Sequence, residues 1–156
     1  MEREGIVKKN ATIYDLLWEV MPTVSHENFS IWPEIQKEIV DQSRVLELGA
    51  GTLPHTPTEG GFFADVSETS LEKLRMRGGQ CVFASGPLPF QKASFDVVCA
   101  FDVLEHIPDD ENAMNELARI LKPGGSFFFS VPVNSAYWTR LDALYGHVRR
   151  YDAARA

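Results

Sequence analysis

The sequence lacks the features that mark several specialised classes of protein. Only two of its 156 residues are cysteine, which excludes a small domain stabilised by several disulfide bonds. No apolar run approaches the roughly 20 residues that cross a bilayer, and the charged first residues are not followed by the apolar segment of a secretory signal. We therefore expect a cytoplasmic chain that does not insert into membranes and keeps Cys81 and Cys99 as reduced residues in apolar strands.

Positive charge is scarce as well. The chain has 15 Lys and Arg against 22 Asp and Glu, a net charge of −7, and its basic residues do not cluster in sequence. Such a chain repels a polyanion, so we expect no nucleic-acid partner. A content of 44% hydrophobic and 24% charged residues is ordinary for one folded domain, and it favours no particular oligomeric state.

Short apolar runs alternate with helical patterns along the chain. Strands are predicted at residues 44–48, 61–66, 80–84, 94–101 and 126–131. Helices are predicted within residues 10–43, after Ser67 as far as Arg77, and at residues 110–121. This alternation predicts an α/β fold with a doubly wound, mostly parallel sheet of five strands. We expect a helical cap at residues 1–43 and one domain at residues 44–156.

Small and acidic residues follow the first two predicted strands, where ligands bind in sheets of this kind. Gly49 and Gly51 would let the backbone turn sharply and approach a ligand, although either could equally serve a plain tight turn. Asp65 ends the second strand, where a carboxylate can accept hydrogen bonds from both hydroxyls of a ribose. Taken alone, Asp65 could also cap a helix or be solvated, but the combination predicts a nucleoside-containing cofactor.

The type of cofactor follows from the residues after the glycines. A dinucleotide-binding loop needs a third glycine where this chain has Pro54, followed by a helix that holds a pyrophosphate at its amino terminus. Pro54 and Pro57 leave little room for that helix. A nicotinamide-dependent oxidoreductase is therefore a disfavoured alternative.

Six short motifs occur in one order along the chain, at residues 45–52, 64–67, 88–90, 95–98, 103–108 and 117–125. In sequence and spacing they resemble the class I S-adenosylmethionine-dependent methyltransferases, particularly the branch of ubiquinone and menaquinone biosynthesis. The resemblance implies a Rossmann-like methyltransferase fold, S-adenosyl-L-methionine as cofactor, S-adenosyl-L-homocysteine as product, and a small-molecule acceptor. No metal site is predicted.

The same resemblance assigns roles to individual residues. Glu47, Gly49 and Gly51 would shape the loop under the methionine part of the cofactor, Asp65 would bind the ribose, and the end of the fourth strand would line the sulfonium. The full set of implied cofactor-binding residues is Glu47, Gly49, Ala50, Gly51, Asp65, Val66, Ser85, Phe101, Asp102 and Val103.

The acceptor side is less sharply predicted. A catalytic base is needed only if the acceptor must lose a proton, and His106 and His147 are the candidates because histidine titrates near neutral pH. His106 could instead be a helix-start residue that packs locally. His106, Tyr137 and Trp138 are predicted to form the wall of the substrate pocket, although the two aromatic residues would also suit a core or lid position.

Three features depart from the family pattern. Leu53 replaces the third glycine, and the loop reaches Asp65 so soon that the first helix of the domain must be very short or absent. Residues 84–87 offer no acid for the adenine amino group, so Ser85 would substitute. The family fold continues beyond the fifth strand, which predicts that the chain is a C-terminally truncated piece. These departures leave a non-catalytic binding or assembly module as the main alternative.

Overall fold

The computed structural model describes residues 2–152, except for the side chains of residues 2–10. Met1, in the predicted cap, and residues 153–156, in the predicted domain, lie outside the described residues.

The described chain forms one sheet of five strands: β1 (Val45–Leu48), β2 (Phe62–Asp65), β3 (Gln80–Phe83), β4 (Phe95–Phe101) and β5 (Leu121–Ser130). Their order is β3-β2-β1-β4-β5, and every pair of neighbours is parallel. The predicted doubly wound α/β fold is therefore confirmed. The winding changes direction between β1 and β4, and ligands bind at the carboxyl ends of strands at such a point.

The helices are α1 (Glu2–Val20), α2 (Trp32–Glu38), α3 (Glu68–Arg75), α4 (Asp110–Ile120) and α5 (Arg140–Leu144). The predicted cap of α3 is confirmed, since the Ser67 hydroxyl accepts a hydrogen bond from the Ser70 amide. The predicted start of α1 near residue 10 is wrong by several residues, because residues 2–9 are rich in helix-forming Glu, Arg and Lys but have no apolar periodicity. The short α5 was not predicted.

Helices cover both faces of the sheet. On one face, Val45, Val97 and Cys99 pack around Ile35 of α2. On the other face, Leu46 and Val98 belong to a larger cluster with residues of α4. Cys99 is thus a buried core residue as predicted, whereas Cys81 is only partly buried; both are free thiols. No helix within residues 2–152 is long and apolar enough to cross a bilayer.

Two connections differ from the usual form of such a fold. The described residues between β1 and β2 contain no helix, in agreement with the short loop that the sequence predicts. Strand β5 starts earlier than predicted, at Leu121, and the pairing with β4 shifts register between the pair Phe95 and Leu121 and the pair Val97 and Ser126. Gly124 and Gly125 therefore lie in an irregular part at the start of the strand.

Candidate functional site

A cavity of about 1440 Å³ lies at the carboxyl ends of β1, β2 and β4. Pockets for one drug-sized ligand measure roughly 300–1,000 Å³, so the space suits a cofactor together with a second small molecule. Its lining includes both candidate bases, His106 and His147, and every predicted cofactor residue except Gly51: Glu47, Gly49, Ala50, Asp65, Val66, Ser85, Phe101, Asp102 and Val103.

The loop after β1 is held in a conformation that requires glycine. Gly49 has a φ of +68°, and a Cβ added to it would lie 2.4 Å from Cγ2 of Val103. Its amide donates to the carbonyl of Ala64 at 2.8 Å, which ties the loop to β2. Gly51 has a φ of +56°, and its Cβ position is occupied by the ring of Trp18 from α1, at 2.3 Å. Gly51 thus packs under α1 rather than against the cavity.

Asp65 lies at the carboxyl end of β2 and is almost fully buried. Its Oδ2 accepts a hydrogen bond from the amide of Gly51 at 3.0 Å, and its Oδ1 accepts one from the amide of Ser67 at 2.9 Å. Burial raises the pKa of the Asp65 carboxyl above its usual value, and these backbone hydrogen bonds oppose the rise. Asp65 therefore lies in the cavity wall with its carboxylate fixed by backbone amides.

Glu47 organises the loop that replaces the missing helix. Its buried carboxylate accepts hydrogen bonds from the amides of His55 and Thr56, each at 3.0 Å, and from the Thr56 hydroxyl at 2.8 Å. The His55 ring in turn lies between Phe29 and Phe101, with ring centroids 3.9 and 4.3 Å away. The Glu47 carboxylate therefore shapes the cavity by fixing the loop, whose His55 lines the cavity.

The ends of β3 and β4 supply the opposite wall. Ser85 lines the cavity beside Phe83. At the end of β4, Asp102 has a φ of +49°, which is uncommon for a residue other than glycine. Its amide donates to the carbonyl of Ser130 at 3.0 Å, and its Oδ1 accepts a hydrogen bond from the Ser130 hydroxyl at 2.9 Å. Neighbouring β5 thus holds Asp102 in this conformation.

Three polar side chains meet at the other end of the cavity. Glu105, only 1% exposed, and His106 belong to a short 3₁₀ turn after β4, whereas His147 follows α5. Each offers one ligand atom within 4.8 Å of the others, close enough to share a proton or a cation. Oε2 of Glu105 has no hydrogen-bond partner among the described residues, and burial raises the pKa of this carboxyl to about 7.

The two histidines are held differently. Nε2 of His106 lies 3.2 Å from the hydroxyl of Tyr14, which also donates to the carbonyl of Tyr145 at 3.1 Å. Since a hydroxyl has one proton, this arrangement assigns His106 as the donor to Tyr14. Burial lowers the pKa of His106 to about 4, so its ring is neutral at neutral pH. Nε2 of His147 lies 3.9 Å from Oε1 of Glu105, and its Nδ1 lies 3.0 Å from Oδ1 of Asp142.

Two predicted pocket residues lie elsewhere. Tyr137 and Trp138 are 68% and 43% exposed and are not among the residues that line the cavity. Asn134, with a φ of +65°, caps the 3₁₀ turn Ser135–Tyr137 through its side-chain oxygen. Both rings lie at the surface, so the structure does not place Tyr137 and Trp138 in the predicted pocket wall.

The sequence did not point to three further aromatic residues of the cavity, which come from α1 and from the segment before His147. Tyr14, Leu17, Trp18 and Tyr145 line it, and Tyr14 stacks on Trp18 with ring centroids 5.9 Å apart. Apolar spacing alone did not single out Tyr14, Trp18 or Tyr145, since apolar residues of the same helix such as Leu16 and Val20 are exposed. The spacing of four residues between Tyr14 and Trp18 was the available signal for a second face.

Comparison with known proteins agrees with the sequence resemblance and the fold. Residues 60–129 match the family described as "Methyltransferase domain". The chain is 35% identical over 100 residues to the ubiquinone biosynthesis O-methyltransferase of Idiomarina loihiensis, with 56% of this chain and 41% of that protein covered. It is 30% identical over 161 residues to the ubiquinone/menaquinone biosynthesis C-methyltransferase of Pectobacterium atrosepticum, with 88% and 63% covered.

A solved structure shows the same fold. A SAM-dependent methyltransferase from Thermotoga maritima superposes with a TM-score of 0.62 at 23% identity, covering 83% of this chain and 68% of that chain. The resemblance to the class I methyltransferases, in the ubiquinone and menaquinone branch, is confirmed. The chain spans less than two thirds of the length of the two curated relatives.

Proposed function

We propose that this chain, similar in sequence and fold to the class I methyltransferases, transfers a methyl group from S-adenosyl-L-methionine to a small-molecule acceptor. The observation that carries the proposal is the combination of Gly49 and Asp65 in one cavity at the switch point of the sheet. There a glycine leaves space for a ligand beside the backbone, and a buried carboxylate lies in the cavity wall.

The residues present fit this cofactor. Asp65 would accept hydrogen bonds from the ribose hydroxyls, Ser85 and Phe83 would lie beside the adenine, and Gly49 would leave room for the methionine part. Phe101 and Asp102, which also line the cavity, would face the reacting end. The bound cofactor supplies an electrophilic methyl group on sulfur, and the protein contributes mainly alignment, which is worth on the order of 7–11 kcal/mol.

The polar end of the cavity supports an acceptor that loses a proton on methylation. His147 is the favoured base because His106 already donates its Nε2 proton to Tyr14. Nε2 of His147 would take the proton as the acceptor is methylated, and His106 would remain neutral beside it. The names of the two curated relatives refer to ubiquinone or menaquinone biosynthesis, which supports a small organic acceptor.

The alternatives have less support. No helix lies between β1 and β2 in the described chain, so the helix end that a dinucleotide pyrophosphate needs after the first strand is missing. A non-catalytic module would have no need for a cavity that is larger than one ligand and carries a polar cluster at its far end.

Isothermal titration calorimetry with S-adenosyl-L-homocysteine and S-adenosyl-L-methionine tests the proposal. We expect both ligands to bind to the folded chain at one site. A folded chain that gives no heat with either ligand contradicts the proposal. Methyl transfer to a mixed panel of small acceptors then separates an enzyme from a binding module.

Asp65→Asn makes this test specific to the site. The amide keeps one acceptor but loses the charge, so affinity for S-adenosyl-L-homocysteine should fall by about 1.5–3 kcal/mol, roughly 10- to 150-fold. Asp96→Asn is the matched control, because Asp96 lies near the start of β4, away from the cavity, and pairs with Lys122. Equal affinities of the two variants would remove Asp65 from the site.

A further inference from the structure

One buried carboxylate outside the predicted site controls the orientation of His147. Asp142, in α5, is only 2% exposed. Its Oδ1 accepts from Nδ1 of His147 at 3.0 Å and from Nε of Arg150 at 2.8 Å. Its Oδ2 accepts from the amide and hydroxyl of Thr139, at 2.7 and 2.8 Å, and from Arg150 at 2.9 Å.

These contacts keep Asp142 charged and fixed. Arg150 binds both carboxylate oxygens side-on and holds the pKa of Asp142 well below its usual range. Thr139 and Asp142 form the capping box of α5, which places the carboxylate at the start of that helix, where a negative charge is stabilised. The backbone amide of His147 also donates to the Asp142 carbonyl at 2.9 Å, so ring and backbone are anchored to one residue.

The direction of the His147 ring follows from this carboxylate. A charged carboxylate only accepts hydrogen bonds, so Nδ1 of His147 must carry the proton. Nε2 then has its lone pair free and points towards Glu105, 3.9 Å away, in the lining of the cavity. A histidine held in one tautomer by a buried carboxylate is arranged to accept a proton from a reacting group.

We propose that Asp142 is a positioning residue that holds His147 in its Nδ1–H tautomer, so that the site deprotonates a hydroxyl or another protic nucleophile during methyl transfer. This inference rests on the proposed function. In the step, the acceptor's O–H bond breaks and its proton goes to Nε2 of His147. The oxygen forms the new bond to the methyl carbon, while the carbon–sulfur bond breaks and its electron pair stays on sulfur.

The first measurement requires no substitution. In protein with ¹⁵N-labelled histidine, the imidazole nitrogen shifts of His147 at pH 8 report which nitrogen carries the proton. We expect the Nδ1–H tautomer both in the chain alone and with S-adenosyl-L-homocysteine. The Nε2–H tautomer in the unmodified protein would overturn the inference, whether or not the chain binds the cofactor.

Asp142→Asn tests the role of the charge. The position of Oδ2 receives three donors and that of Oδ1 receives two, so the amide oxygen should take the Oδ2 position. The amide NH₂ group then faces Nδ1 of His147 and donates to it, which moves the histidine proton to Nε2. We expect this change of tautomer together with a fall in kcat of about 10²-fold or more, the contribution of a general base.

Asp152→Asn is the matched control. Asp152 belongs to the same segment and its carboxylate accepts hydrogen bonds from Ser135, but it does not line the cavity. It should leave the tautomer of His147 and kcat unchanged. In Asp142→Asn the affinity for S-adenosyl-L-homocysteine, measured by calorimetry, should also stay within a few-fold, which separates this inference from the proposed function. An unchanged kcat in Asp142→Asn contradicts the role of Asp142.

Discussion

At the end of the cavity near Asp65, the lining comes from the ends of adjacent strands, whereas at the end near His147 it comes from segments far apart in sequence. Gly49 and Asp65 are separated by one loop, and the backbone itself makes their contacts. Tyr14, Glu105 and His147 come from α1, from the turn after β4 and from the segment after α5, and side chains make most of their contacts.

This difference predicts how each end responds to substitution. We call the end near Asp65 the cofactor end and the end near His147 the acceptor end, after their proposed roles. At the cofactor end, a change in one residue alters the backbone and therefore the whole ligand-binding surface. At the acceptor end, single hydrogen bonds can be removed one at a time, since each of several segments is anchored by more than one contact. Substitutions should therefore have large effects on cofactor affinity at the first end and graded effects at the second.

Gly49→Ala should have the largest effect. The new Cβ would lie 2.4 Å from Val103, at a φ of +68°, so the loop or the end of β4 must shift. A misplacement of about 1 Å can cost about 10²-fold, and we expect a loss of this size or greater in the affinity for S-adenosyl-L-homocysteine, measured by calorimetry.

Gly124→Ala is the control for backbone strain. Gly124 has a φ of +79°, but nothing lies within 4 Å of its Cβ position. Both variants should lose about 1–2 kcal/mol of stability from the left-handed conformation, whereas only Gly49→Ala should lose affinity. Similar affinities in the two variants would mean that the loop after β1 does not contact the ligand.

At the acceptor end, the ionisation of Glu105 should make the stability of the fold depend on pH. Burial raises the pKa of Glu105 to about 7 from 4.5, so the folded chain binds this proton more tightly than the unfolded chain does. The stability contributed by the protonated carboxyl is present below pH 4.5 and is lost as the pH rises to about 7. Glu105→Gln carries no charge and should escape this loss.

Melting curves across this range test the prediction. Glu105→Gln should melt several degrees above the unmodified chain at pH 8, and the difference should shrink as the pH falls to 4.5. Glu111→Gln, the same change on the exposed face of α4, should show no such trend. A difference that does not vary with pH would mean that Glu105 is not buried as a neutral acid.

The two ends also differed in how well they could be predicted from the sequence. Strands β1 to β4 lie within one residue of their predicted bounds, and the residues after them line the cavity, because short apolar runs and strand-end positions are local signals. Asp142 and Tyr14 were missed because their importance depends on contacts with residues 147 and 106, which no local pattern encodes. Tyr137 and Trp138 were misplaced because a 3₁₀ turn capped by Asn134 follows β5 and leaves both rings exposed.

Tyr14→Phe should have the smallest effect on cofactor affinity. It removes the hydrogen bond that the Tyr14 hydroxyl accepts from His106 and the one that it donates to the carbonyl of Tyr145 but keeps the ring that stacks on Trp18. Each hydrogen bond contributes about 0.5–1.5 kcal/mol, so the loss of two should lower Tm by roughly 2–12 °C while the affinity for S-adenosyl-L-homocysteine stays within a few-fold. Tyr137→Phe, at the exposed tyrosine outside the cavity, should shift stability by less than about 0.5 kcal/mol. If both variants melt at the same temperature, the Tyr14 hydroxyl does not hold α1 to the acceptor end. If Tyr14→Phe instead loses cofactor affinity, the two ends are coupled through α1, and the contrast between them is wrong.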